Sequence, residues 1–208
     1  MSDPDSRGLR PSEMKLSMGL LLLVVTAFLI QNYVIFPVES RIFDPSVVQI
    51  ASLIFIPHGV KVIVATLYGH LAVFPILAGQ TLGVYMYTRD FEFSVSFGAI
   101  AVLAIYIPVY LVSYLESGGF EKDVDQLTAK STLLLGRKVL VIALISSLLN
   151  SYFASLLNDV TPESQIWLRF LMGDMLGAAA VFLLVYLLRN IIRNRLFRKT
   201  GVESSEKM

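Results

Sequence analysis

The sequence predicts an all-α fold, a polytopic membrane helix bundle with six transmembrane helices. Three observations predict it. Of the 208 residues 55% are hydrophobic and only 16% are charged, with a mean hydropathy of +0.69, a balance that suits a chain whose outer surface meets lipid. The apolar residues gather in six runs, most of them long enough to cross a hydrocarbon core of ~30 Å at ~1.5 Å per residue. The charges between the runs alternate in sign with the side of the membrane on which each loop would fall.

Segment one, Leu16–Phe36, stops where Pro37 follows, and is longer than the ~7–15-residue apolar core of a signal peptide, so it reads as a retained helix. Segment two covers Val47–Leu67 and is kinked or broken at Pro57-His58-Gly59, where irregular backbone is tolerated at depth only if protein or water covers it. Tyr68-Gly69-His70 then separates it from segment three, Leu71–Tyr87, which suggests a tight helical hairpin. Segment four is Val95–Leu115, ended by Gly118-Gly119, and a short amphipathic surface helix is expected within Phe120–Leu135. Segments five and six are Val139–Leu157 and Ile166–Leu188. The chain divides into an N-terminal tail (1–15), the transmembrane domain (16–188) and a basic C-terminal tail (189–208).

Arg7, Arg10 and Lys15 precede segment one, Lys122, Lys130, Arg137 and Lys138 lie between segments four and five, and RNIIRNRLFRK follows segment six. The intervening loops carry only Arg41 and Arg89 beside Glu39, Asp44, Asp90, Glu92, Asp159 and Glu163. The positive-inside rule places both termini in the cytoplasm of a bacterium, with the domain in its inner membrane. The basic tail would then rest on the anionic inner leaflet, each cation attracted by ~1 kcal/mol when close.

A net charge of +1 without a broad basic patch gives no reason to expect nucleic acid as a partner. The absence of Cys excludes disulfides and thiolate chemistry. No phosphate-cradling glycine loop or HExxH motif occurs, and two histidines do not make a metal cluster, so no catalytic set, metal or cofactor is expected.

What remains unusual is a set of ionisable and polar side chains inside apolar runs. Such groups are expensive in hydrocarbon and mark a ligand, an ion path or a packed polar network. His58 and Lys61 are three residues apart on segment two and share one helix face if the helix continues past Pro57. Lys61 either neutralises an anion in the interior or snorkels to the headgroups on its long stem. On segment six Asp174 falls near mid-depth and needs a proton, a hydrogen bond or a cation from segment two, whereas Arg169 lies near the outer end. Gln80 on segment three and Asn150, Ser146, Ser147 and Ser151 on segment five are expected to line the same interior. Pro57 and Gly59, with the small-xxx-small pairs Gly79/Gly83 and Gly173/Gly177, mark places where helices approach closely.

The stretch FIPHGVKVIVATLYG and the later GDMLGA resemble the membrane-integral sensory domains called MASE1. That family repeats a Pro-x-Gly-containing helix, a Gly after a short apolar interval and a later Gly-Asp near a final helix, matched here by Pro57, Gly59, Gly69, Gly173 and Asp174 over about a quarter of the chain. Family members usually have more helices and feed a cytoplasmic output module. The resemblance therefore implies a sensory-like input domain that signals to a separate cytoplasmic or membrane partner, and the polar interior around His58, Lys61 and Asp174 suggests a small anionic or amphipathic ligand. A small transporter, the substrate-binding subunit of one, and a structural assembly protein are the alternatives the residues leave open.

Overall fold

The structure is a computed structural model that describes residues 10–43, 52–115, 129–157 and 164–201, with side chains in the last two helices described over 134–153 and 168–189. The described elements are helices: α1 (Pro11–Ile30), a π-helical turn (Gln31–Ile35), α2 (Phe36–Glu39), α3 (Ile56–Tyr68), a 3-10 turn (Gly69–Ala72), α4 (Val73–Thr88), α5 (Phe91–Leu115), α6 (Ala129–Leu157) and α7 (Ser164–Gly201).

Five helical stretches among the described residues are long and apolar enough to cross a membrane, against the six expected: Pro11–Glu39, Ile56–Thr88, Phe91–Leu115, Leu134–Phe153 and Leu168–Arg189. The difference lies in segments two and three, which form one continuous helical run. Segment two reads as a long helix only if Val47–Phe55 is counted. In the structure the helix begins at Ile56, residues 52–55 are non-helical, and 44–51 lie outside the described residues. Pro57 stands in the first turn of α3, where its missing N–H has no helical acceptor to lose, so it starts a helix and does not kink one. That leaves arms of 13 and 16 residues, each short of the ~17–25 that a separate crossing uses.

The run folds back on itself between the arms. Gly69 adopts φ 52° and ψ −128°, a conformation costly for any residue with a Cβ, and its carbonyl accepts a hydrogen bond from the Tyr106 hydroxyl of α5. The reversal brings Lys61 of α3 against Gln80 of α4, residues that a straight helix would hold ~28 Å apart.

Pro37 likewise fails to end the first helix. The π-helical turn before it widens the spiral by one residue, with the Phe36 N–H reaching the Gln31 carbonyl, and the helix runs on to Glu39. Two short caps close the α4–α5 connection: Arg89 takes the left-handed conformation, and the Asp90 carboxylate accepts the Phe93 N–H at 3.0 Å.

The glycines decide which helices meet. A Cβ on Gly79 would strike Val24 and one on Gly83 the Phe28 ring, so this pair seats α4 on α1. A Cβ on Gly59 would lie 2.5 Å from the Gly177 carbonyl oxygen, and Cβ atoms on Gly173 and Gly177 would overlap the backbone of Ser52 and Phe55. Backbone therefore packs on backbone where α3 and the residues before it cross α7. The core beneath joins Val24, Phe28, Val62, Ile76, Ile105, Ile142 and Ala178, while Leu22, Leu103, Leu111, Leu183 and Leu187 remain exposed on the outer surface, as lipid contact requires. The expected surface helix in Phe120–Leu135 lies largely outside the described residues, its last part being the backbone of α6.

Candidate ligand-binding site

The site begins with a stretch of non-helical backbone, residues 52–55, which is buried at Ser52 and reaches the surface at Ile54. In a protein packed in lipid every such amide needs an internal acceptor. Each one from Leu53 to Ile56 has it: Glu39 accepts the Leu53 and Ile54 N–H groups at 3.1 Å, the Gly173 carbonyl accepts Phe55 N–H at 2.9 Å, and Gln31 Oε1 accepts Ile56 N–H at 3.0 Å. The Ser52 hydroxyl lies 2.9 Å from Glu39 Oε1 and 3.0 Å from the Ile54 carbonyl, and it accepts from Gln31 Nε2 at 3.0 Å. Gln31 and Glu39 are eight residues apart. The extra residue taken up by the π-helical turn returns them to nearly one face.

Below this strap lie the polar residues singled out by sequence. His58, Lys61, Gln80, Asn150 and Asp174 are all buried, between 1% and 3% exposed, and come from four different helices. His58 Nδ1 is 3.2 Å from Asp174 Oδ2, and Ser147 donates to the same oxygen at 3.1 Å. Ser146 Oγ is 3.0 Å from His58 Nε2 and 3.1 Å from the Ala143 carbonyl. Its single proton goes either to the Ala143 carbonyl, with Nε2–H donating to Oγ, or to an unprotonated Nε2, so the tautomer of the imidazole and the rotation of the Ser146 hydroxyl are tied. Lys61 does not snorkel. Its ammonium donates to Gln80 Oε1 and lies 6.0 and 5.9 Å from the centres of the Phe28 and Phe55 rings, where the ring faces favour a cation.

Arg169 stands apart from this group, with its guanidinium over the Phe43 ring at 4.6 Å. Sequence reasoning did not single out Gln31 or Ser52, and counted Glu39 among the acids of an external loop. Without the π-helical turn, helical periodicity points Glu39 away from Gln31.

A cavity of about 610 Å³ opens between these elements, a size that suits a small organic molecule. Pro37, Ser40 and Thr88 line it near the ends of α2 and α4, and Ser52, Gln80, Asn150 and Asp174 line it in the interior. Its apolar wall is aromatic: Phe28, Phe36, Phe55, Phe93, Phe97 and Phe170, with Tyr87. Three side-chain oxygens on this wall, Asp174 Oδ1, Asn150 Oδ1 and Asn32 Oδ1, are buried without a hydrogen-bond partner among the described residues.

Comparison with protein-family models, with curated proteins and with solved structures returned no match. The chain is a membrane-embedded, multi-pass helical protein on the strength of its own five apolar stretches.

Proposed function

We propose that this protein is a membrane-integral receptor module that takes a small amphipathic ligand into the aromatic cavity and passes its occupancy to a separate partner. The observation that carries the reading is the position of Asp174. It faces the cavity, approaches His58 of α3, and lies between the two glycines on which α3 and its strap are seated. A ligand that bonds Asp174 acts on the α3–α7 contact directly. Because α7 is one unbroken helix of 38 residues, ~57 Å long, and leaves the apolar stretch at Arg189, a shift at Gly173 reaches its basic extension as a rigid-body movement. This accords with the sensory role that the MASE1 resemblance implies.

The chain lacks cysteine, so pairs of spin labels can be placed at will. With labels on Leu115→Cys and Leu187→Cys, both exposed, a saturating ligand should change the α5–α7 distance distribution. An unchanged distribution at proven saturation excludes signalling through α7.

The folded-back run returns the chain to the face from which it entered, which keeps the positive segments on one side, and we assign that side to the cytoplasm of a bacterial inner membrane. A cysteine at Arg89 should react with a membrane-impermeant maleimide in intact cells and one at Arg10 only after lysis; the reverse pattern inverts the assignment.

A second reading, a small proton-coupled transporter, is favoured by one observation: Asp174, His58 and Ser146 form a chain of exchangeable groups leading away from the cavity. Ligand uptake into proteoliposomes that moves protons, and stops with Asp174→Asn, would select it.

A further inference from the structure

We infer that the ligand is a small organic ammonium with an aromatic or aliphatic body, a donor of hydrogen bonds and not the anion that the buried lysine first suggests. The inference rests on the receptor reading and names the class of molecule its cavity takes.

The fully buried side-chain atoms without a partner on residues of the cavity wall are all acceptors. Asp174 and Asn150, 1% and 3% exposed, line the cavity, and each has a buried side-chain oxygen with no partner among the described residues; Asn32 on the same wall has a third. Leaving such atoms buried and unpaired is unfavourable, and an ammonium carries up to three N–H donors to satisfy them. An anion brings only acceptors and satisfies none of these three oxygens. Lys61 cannot compensate, because it does not line the cavity and its ammonium is bound by Gln80 between two aromatic rings.

Charge counting agrees. Among the described residues Asp174 is the carboxyl on the cavity wall, and Lys61, His58 and Arg169 all lie off that wall. A monocation in the cavity balances that acid. The rings of Phe93, Phe97 and Phe170 on the cavity wall supply an aromatic surround suited to an organic cation and the apolar body attached to it. Asp174 Oδ2 is already engaged by Ser147 and faces His58, which leaves Oδ1 as the oxygen for the ligand.

Titration calorimetry of the full chain in lipid nanodiscs with three probes of one shape, phenylbutylammonium, phenylbutanol and phenylpentanoate, separates the possibilities. The ammonium should bind about tenfold or more tighter than the alcohol, and the carboxylate weakest of all. Asp174→Asn should bring the ammonium to the affinity of the alcohol while leaving the alcohol within about threefold, and Asn32→Leu, at a half-buried position that tolerates change, should weaken the ammonium several-fold. Carboxylate binding as tight as the ammonium, or an ammonium preference that survives both variants, overturns the assignment of an amine while the cavity remains a receptor site. No binding by any probe overturns both.

Discussion

Replacing Gly177 with valine is expected to prevent the protein from folding, or to leave it soluble only in strong detergent. A Cβ at this position overlaps the carbonyl oxygen and carbon of Phe55, and the neighbouring surface of α7 is the seat of Gly59. Overpacked cores ordinarily relieve ~1–3 kcal/mol of strain by moving a side chain. Here the obstruction is main chain on both sides, and Phe55 is further fixed by its N–H bond to the Gly173 carbonyl at 2.9 Å. The cost therefore lies at or above the upper end of that range. Leu176→Val, one residue away and 45% exposed on the outer surface, is the control and should be close to silent. Monodisperse yield and thermal midpoint in mild detergent read both variants. Equal behaviour of the two removes the backbone contact as a determinant of the fold.

The second large effect is expected at Glu39. Glu39→Ala takes the acceptor from the Leu53 N–H, at ~1–3 kcal/mol, while the Ile54 N–H keeps the Ser52 hydroxyl at 3.3 Å. The Ser52 hydroxyl escapes this penalty because the Ile54 carbonyl is within 3.0 Å. A loss of ~1–3 kcal/mol loosens the strap on Gly173 and with it one wall of the cavity. Glu39→Gln keeps a carbonyl oxygen with two lone pairs in the same place and should recover most of the loss. Denaturant titration in mixed micelles distinguishes them, and an alanine variant as stable as wild type would show that Glu39 does not hold the strap.

The strong parts of the sequence were legible because they violate the rule of their surroundings. His58, Lys61 and Asp174 stand out as ionisable groups in apolar runs, and cost alone says that they must find each other or a ligand; the structure places His58 Nδ1 3.2 Å from Asp174 Oδ2. The glycine pairs were legible as close approaches but not as to partner, since nothing in Gly173-x-x-x-Gly177 announces an extended strap instead of a second helix. The number of crossings was misread because hydropathy counts apolar length and is blind to direction. Val47–Phe55 is as apolar as the helix it precedes, and the same Pro57 that kinks an interior helix begins one when it falls in the first turn. Glu39 was hidden for a related reason. Its inward orientation depends on a one-residue change of helical pitch at Gln31–Ile35, which leaves no mark in composition.

The bond between Phe55 and Gly173 also fixes an order of events during biogenesis. Glu39, Gln31 and Gln80 serve the Leu53, Ile54 and Ile56 amides and Lys61 from the early helices, but the Phe55 amide and His58 have their partners only in α6 and α7. The early third of the chain must wait at the interface, or shielded by the insertion machinery, and settles only when the late helices arrive. Such a protein is assembled by closing around its last member, so a ribosome stalled before α7 releases an intermediate with its polar heart uncovered.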